Sequence, residues 1–271
     1  MSTRAIVPVK LSLTEGDFYT LWAPKWRQNG SEWQAFLGDD EAVLAFNSPA
    51  ELLCFVESGT KHDLLDHPQW DQFAGRDADR VTPAERDEYD LIGMPEALAG
   101  RPSHQNVSTV ARNLEIASAL ADVAGAEHTT IFFASHSILR NVSRGADHYS
   151  GEQGMSEWSG VGHVIAGNWK KVIEDLDEHV RVVSSDDFDA AKVSDAKERI
   201  SSAAAASAAA KTAVRGDGYL CFVLLNLWNN FLHRFPFGEA IAAPRKAPPH
   251  RIAPRPGRTP LTKTHPHTQR V

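Results

Sequence analysis

Cysteine is nearly absent from this 271-residue chain, which holds two, Cys54 and Cys221, against twelve phenylalanines and seven tryptophans. A disulfide framework of the kind that staples small secreted domains is thereby excluded. The reading is two reduced, buried thiols in a cytoplasmic protein. Paired C-x-x-C and H-E-x-x-H spacings are missing, which removes the common zinc sites. There is no G-x-x-x-x-G-K-[ST] to cradle phosphates and no G-x-S-x-G to raise a nucleophilic serine. Long apolar runs are lacking too. Residues 219–232 fall short of the roughly 18–20 apolar residues that a membrane helix needs, and Asn226, Asn229 and Asn230 interrupt them. The opening MSTRAIVPVK has no apolar stretch of signal-peptide length.

What is present is an acidic body with a basic end. The formal charge is −7, from 28 basic and 35 acidic residues. Seven of the basic residues (Arg245, Lys246, Arg251, Arg255, Arg258, Lys263 and Arg270) lie beyond residue 239, where there is no Asp or Glu, which leaves residues 1–239 at −14. Such a body repels nucleic acid and anionic lipid, whereas the tail attracts both. Those seven side chains are the candidate nucleic-acid contacts, and binding through them would weaken steeply with salt.

The pattern predicts an α+β fold: a small N-terminal antiparallel sheet, a mostly helical region, then a disordered C-terminal tail. Residues 5–46 read as short strands, with Asn29-Gly30 as a hairpin turn. Ser48-Pro49 with Glu51 starts a helix by a capping box, and Thr82-Pro83 with Glu85 repeats the signal. Val107, Val110, Leu114, Ala117 and Ala121 mark a second helix. Trp158, Val161, Ile165, Trp169, Val172, Ile173 and Leu176 mark a long one over 156–180. The domain reading is an α+β unit over 1–185, an Ala-rich helical or flexible linker over 186–214 with nothing large to bury, and an atypical tail over 215–271. Residues 244–271 hold seven of the fifteen prolines, too little apolar surface to fold alone. The switch from the acidic linker is abrupt, and it favours out-of-frame translation of a GC-rich sequence over a genuine basic tail.

Few residues offer chemistry. Gly160, Gly162 and Gly167 lie within the long helix and read as close helix packing, not a dinucleotide loop. His62 and His67 bracket two aspartates and read as a capped, solvated turn. Asp147-His148, in the loop GADHYSG, reads as a loop-closing hydrogen bond with no nucleophile beside it. The aromatic hairpin LWAPKWRQNGSEWQAFLG remains. Trp22, Trp26 and Trp33, with Lys25 and Arg27, are the candidate platform for a client or partner, set against the ordinary reading that aromatics fill a core.

Several segments carry a family likeness: VPVKLSLTEGDFYTLWAPKWR (7–27), EWQAFLG (32–38), SPAELLCFV (48–56), HDLLDHPQW (62–70), YDLIG (89–93), GADHYSG (145–151) and the helix around Trp158 and Trp169. Together they resemble the N-terminal region of actinobacterial SatS-type proteins, over about residues 5–185. The resemblance implies a non-enzymatic export chaperone or accessory factor of the SecA2 pathway, with unfolded or exported proteins and the export machinery as partners. No cofactor or catalytic residue carries over. In that family a C-terminal domain with hydrophobic grooves is associated with holding clients. Residues 190–271 do not resemble it, so the expectation is an N-terminal half whose client-binding half is missing.

Overall fold

Asn29 and Gly30 both take left-handed backbone, with φ of 53° and 84°, the geometry that joins two twisted strands by two residues. In the computed structural model, which describes residues 6–39 and 41–210, this turn links β2 (Gly16–Gln28) to β3 (Ser31–Phe36), and β1 (Val7–Leu13) pairs with the other edge of β2. All three are antiparallel, as expected. Two additions make the β structure mixed. β4 (Val43–Ala45) pairs in parallel with a distant strand, and β5 (Glu88–Asp90) adds in parallel to β1, giving the sheet order β3-β2-β1-β5.

The helices follow. Ser48 caps α1 (Pro49–Glu57) by accepting the Glu51 N–H, while the Glu51 carboxylate accepts the N–H of Asn47 instead of closing the box on Ser48. α2 (Trp70–Ala74) is short. The second start signal is overturned: Thr82-Pro83 leads only to a 3-10 turn at Glu85–Asp87 and then to β5, where Tyr89 is buried. α3 (Met94–Ala99) precedes α4 (His104–Ala124), which has a Ser103–Asn106 capping box and ends at left-handed Gly125. α5 (Glu127–Ser135), a 3-10 segment at Ser137–Arg144 and α6 (Gly151–His179) come next. β6 (Val180–Val182) is the partner of β4, and residues 190–210 form a last helix, α7.

Alternation along β2 sends Phe18 and Trp22 to one face of the sheet and Tyr19, Leu21 and Ala23 to the other. A bulge then inserts one extra residue between Ala23 and Trp26, a stretch that contains Pro24, which has no N–H to give to the ladder. It shifts the parity, so that Trp26 joins the face of Leu21 and Ala23. Each face carries its own core. The first lies under α3 to α6 and takes every apolar position that the periodicity of α4 and α6 marks. The second lies under α1, α2 and α7. The linker reading thus meets a difference: Val193, Ala196, Ile200 and Ala203 of α7 pack into the second core. The tail over 215–271, with the disorder and frame readings attached to it, lies outside the described residues.

Candidate functional site

The hairpin residues divide three ways. Trp22 is buried in the first core, stacked on Phe36 with ring centroids 5.9 Å apart. Trp26 is buried in the second, edge-on to His67 at 4.5 Å, and its indole N–H donates to Gln28 Oε1. Trp33 sits opposite Trp26 in the ladder but is 55% exposed. Lys25 and Arg27 are exposed, and Lys25 Nζ lies 3.8 Å from Glu32. The open end of the hairpin therefore presents Trp33, Lys25 and Arg27.

The solvated turn expected at His62–His67 is corrected, because both imidazoles are buried. His62 packs edge-on against Trp70 at 4.3 Å, and His67 Nδ1 accepts the N–H of Gln69. Burial lowers both pKa values. Among the described residues no group of three His, Cys, Asp or Glu could hold a metal ion, and no helix is long and apolar enough to cross a membrane. The glycines of α6 also differ from one another. A Cβ at Gly160 would come within 3.1 Å of Ile138, whereas Gly162 and Gly167 face open space.

His148 makes the bond that closes its loop, and it makes it to α6. Its Nε2 lies 3.0 Å from Glu157 Oε1, which also accepts the Asn141 amide at 2.5 Å. These two hydrogen bonds hold the Glu157 carboxyl below the usual carboxylate range. Beside them Tyr149 is buried edge-on to Trp158, and burial with the nearby Glu157 charge pushes its phenol up to about 12. The cluster fastens the 137–149 segment to α6. Thr129 does the same for α5, donating its N–H and hydroxyl to Asp175 of α6 at 2.8 and 2.7 Å.

With α5 and the 137–144 segment pinned back onto α6, a groove of about 740 Å³ opens between them and α4. Ala111, Leu114, Phe133, Leu139 and Val142 make its apolar lining. Arg112, Glu115, Asp122 and Arg140 supply charges of both signs. The size of the groove is that of an ordinary ligand cleft. Sequence reasoning missed it. On α4 the lining residues 108, 111, 115, 118 and 122 share one helical face, but they are small or charged and read as a solvated surface. The seven basic residues from Arg245 to Arg270 lie outside the described residues.

Comparison with known proteins bears on the whole domain. The family model of the SatS C-terminal domain matches residues 6–177. The chain is similar to a crystal structure of a SatS C-terminal domain in complex with bromine, at 16% identity and a TM-score of 0.45, over 66% of this chain and 94% of that one. No curated protein matches it. The family model corrects one expectation. The segments read as the N-terminal region of SatS-type proteins are matched by the C-terminal domain, so the half expected to be missing is the half in hand. Since the match takes in well over half of its residues, this chain belongs to the SatS C-terminal domain family.

Proposed function

We propose that the chain is a cytoplasmic, non-enzymatic chaperone or accessory factor for protein export of the SecA2 type, and that it holds unfolded clients in the groove between α4, α5 and residues 137–144. The observation that carries this reading is the groove itself: an apolar lining inside a rim of mixed charge, on a domain of the family whose C-terminal part is associated with holding clients. Apolar lining takes the client's apolar side chains irrespective of sequence, because hydrophobic burial is non-directional. The charged rim keeps the empty groove in water. Trp33, Lys25 and Arg27 supply a second, smaller contact at the hairpin end.

The test is suppression of aggregation of an unfolded secretory protein by the full chain and by an Ala111→Glu/Ala134→Glu variant. Both positions line the groove; Ala134 is exposed and Ala111 is half-buried at the edge of the first core. The variant is expected to fold with an unchanged circular dichroism spectrum and to lose protection. Equal protection by variant and parent would remove the groove as the client site.

A further inference from the structure

α7 is held very differently at its root and along its shaft. The root is fixed. β6 pairs with β4, the Val183 N–H donates to the Ala45 carbonyl at 2.9 Å, and the Ser185 hydroxyl donates to Glu51 Oε1 at 3.0 Å. Phe188 packs on Phe46, with ring centroids 6.1 Å apart. Asp189 then caps the helix, its side chain accepting the N–H of Ala191 at 2.9 Å.

Beyond Asp189 the contact is thin. It consists of one stripe at three- and four-residue spacing: Val193, Ala196, Ile200 and Ala203. Only Ala196 is fully buried, and two of the four side chains are single methyl groups. Little apolar area is removed from water by such a stripe. What fastens the shaft is charge. Arg199 makes a two-pronged pair with Glu57 at the end of α1, at 2.7 and 2.8 Å, and Arg80 joins the same carboxylate at 3.1 Å. Arg199 and Glu57 are 45% and 34% exposed, so salt reaches their bond. Cys54, Ala74 and Ala78 lie beneath or beside the shaft: Cys54 feels the charges of Lys192, Asp195 and Arg199, and the two alanines border a cleft shared with residues 195–203. The family match ends at residue 177, so α7 lies outside the matched stretch.

We propose that α7 is a releasable strap: it pivots at Asp189, is latched by Arg199 on Glu57, and when it lifts it uncovers the apolar face of α1 and α2 that it covers at rest. A firm root, a light shaft and an exposed ionic latch are the properties of a segment that opens well below global unfolding. Ionic strength acts on the latch and on the exposed Arg181 pairs with Asp39 and Glu41 at the root, but the root also keeps its strand ladder and the Phe188–Phe46 contact. This inference goes beyond the groove reading and stands apart from it, since the strap and the groove lie on opposite faces of the sheet.

The experiment uses the full chain with Cys54→Ser, Cys221→Ser and Ala196→Cys, which places one thiol on the buried side of the strap at a position 2% exposed. Its labelling rate by a soluble disulfide reagent is measured with and without Arg199→Ala, across salt and low urea. Expected is a rise of about fivefold on removing Arg199 at low salt, the factor an exposed ion pair sets on an opening equilibrium. The parent rate should also climb with salt, and its dependence on urea should be shallow. As a check that needs no new thiol, amide exchange in residues 190–210 of the unaltered protein should be faster than in α4. An Arg199→Ala rate equal to the parent's, or labelling as steep in urea as global unfolding, would make α7 a fixed part of the core and overturn the strap.

Discussion

Trp26 and Trp33 stand opposite each other across the β2–β3 ladder, yet one is 9% exposed and the other 55%. His67 packs edge-on against Trp26. The stability consequences separate accordingly. Trp26→Ala should cost about 3–5 kcal/mol, as emptying a core aromatic site does. Trp33→Ala should stay within about 0.5 kcal/mol, the usual range for a surface change. Urea unfolding of the two variants checks this.

Gly154 and Gly167 lie on the same helix and should respond in opposite directions. A Cβ at Gly154 would sit 2.4 Å from the backbone carbon of Tyr149, whereas one at Gly167 meets nothing within 4 Å. Gly154→Ala should therefore destabilise by about 1–3 kcal/mol through overpacking. Gly167→Ala should stabilise by up to about 1 kcal/mol through helix propensity. Thermal unfolding of both variants decides it.

Acid should weaken the second core through its histidines. Burial lowers the pKa of His62 and of His67, so the unfolded chain takes up protons at a higher pH than the fold does. The stability they contribute is complete above the unfolded imidazole value, about 6.5, and falls as pH drops below it. His62→Phe, which keeps a ring against Trp70, should flatten the loss of stability between about pH 7.5 and 5.5. Urea unfolding at stepped pH gives the slope, and an unchanged slope would mean that His62 does not titrate in this range.

Trp169 ties α6 to the segment after β5, its indole N–H donating to the Leu91 carbonyl at 2.7 Å. Trp169→Phe leaves that carbonyl unpaired in the core. It should cost about 1–3 kcal/mol, the usual penalty for an orphaned buried group. Trp158 donates in the same way to the Gly100 carbonyl at 2.9 Å, but Gly100 is exposed, so water can replace the lost donor and Trp158→Phe should cost less than Trp169→Phe.

Most elements that carry their own signal were readable in the sequence, Thr82-Pro83 with Glu85 being the exception. The three- and four-residue spacing in α4 and α6, the Asn29-Gly30 turn and the Ser48 cap are local, and all appear in the fold. What escaped depends on distant partners. β5 and β6 are three residues each and owe their strand form to β1 and β4, far away in sequence. The bulge between Ala23 and Trp26 reverses which face Trp26 occupies, and alternation counted along the strand cannot show that. The stripe of α7 was hidden because two of its members are alanines within an alanine-rich run. The groove needs three segments brought together by Asp175 and Glu157. Which domain of the family these segments belong to is not legible in them, because position along a chain says nothing about position within a family.

The central claim is that unfolded protein enters the groove beside α4. The most direct test is hydrogen–deuterium exchange of the full chain with and without a permanently unfolded secretory protein. The account predicts new protection in residues 108–122, 130–134 and 139–143, with α6 unchanged. Protection confined to the hairpin around Trp33, or none anywhere while aggregation is still suppressed, would contradict it.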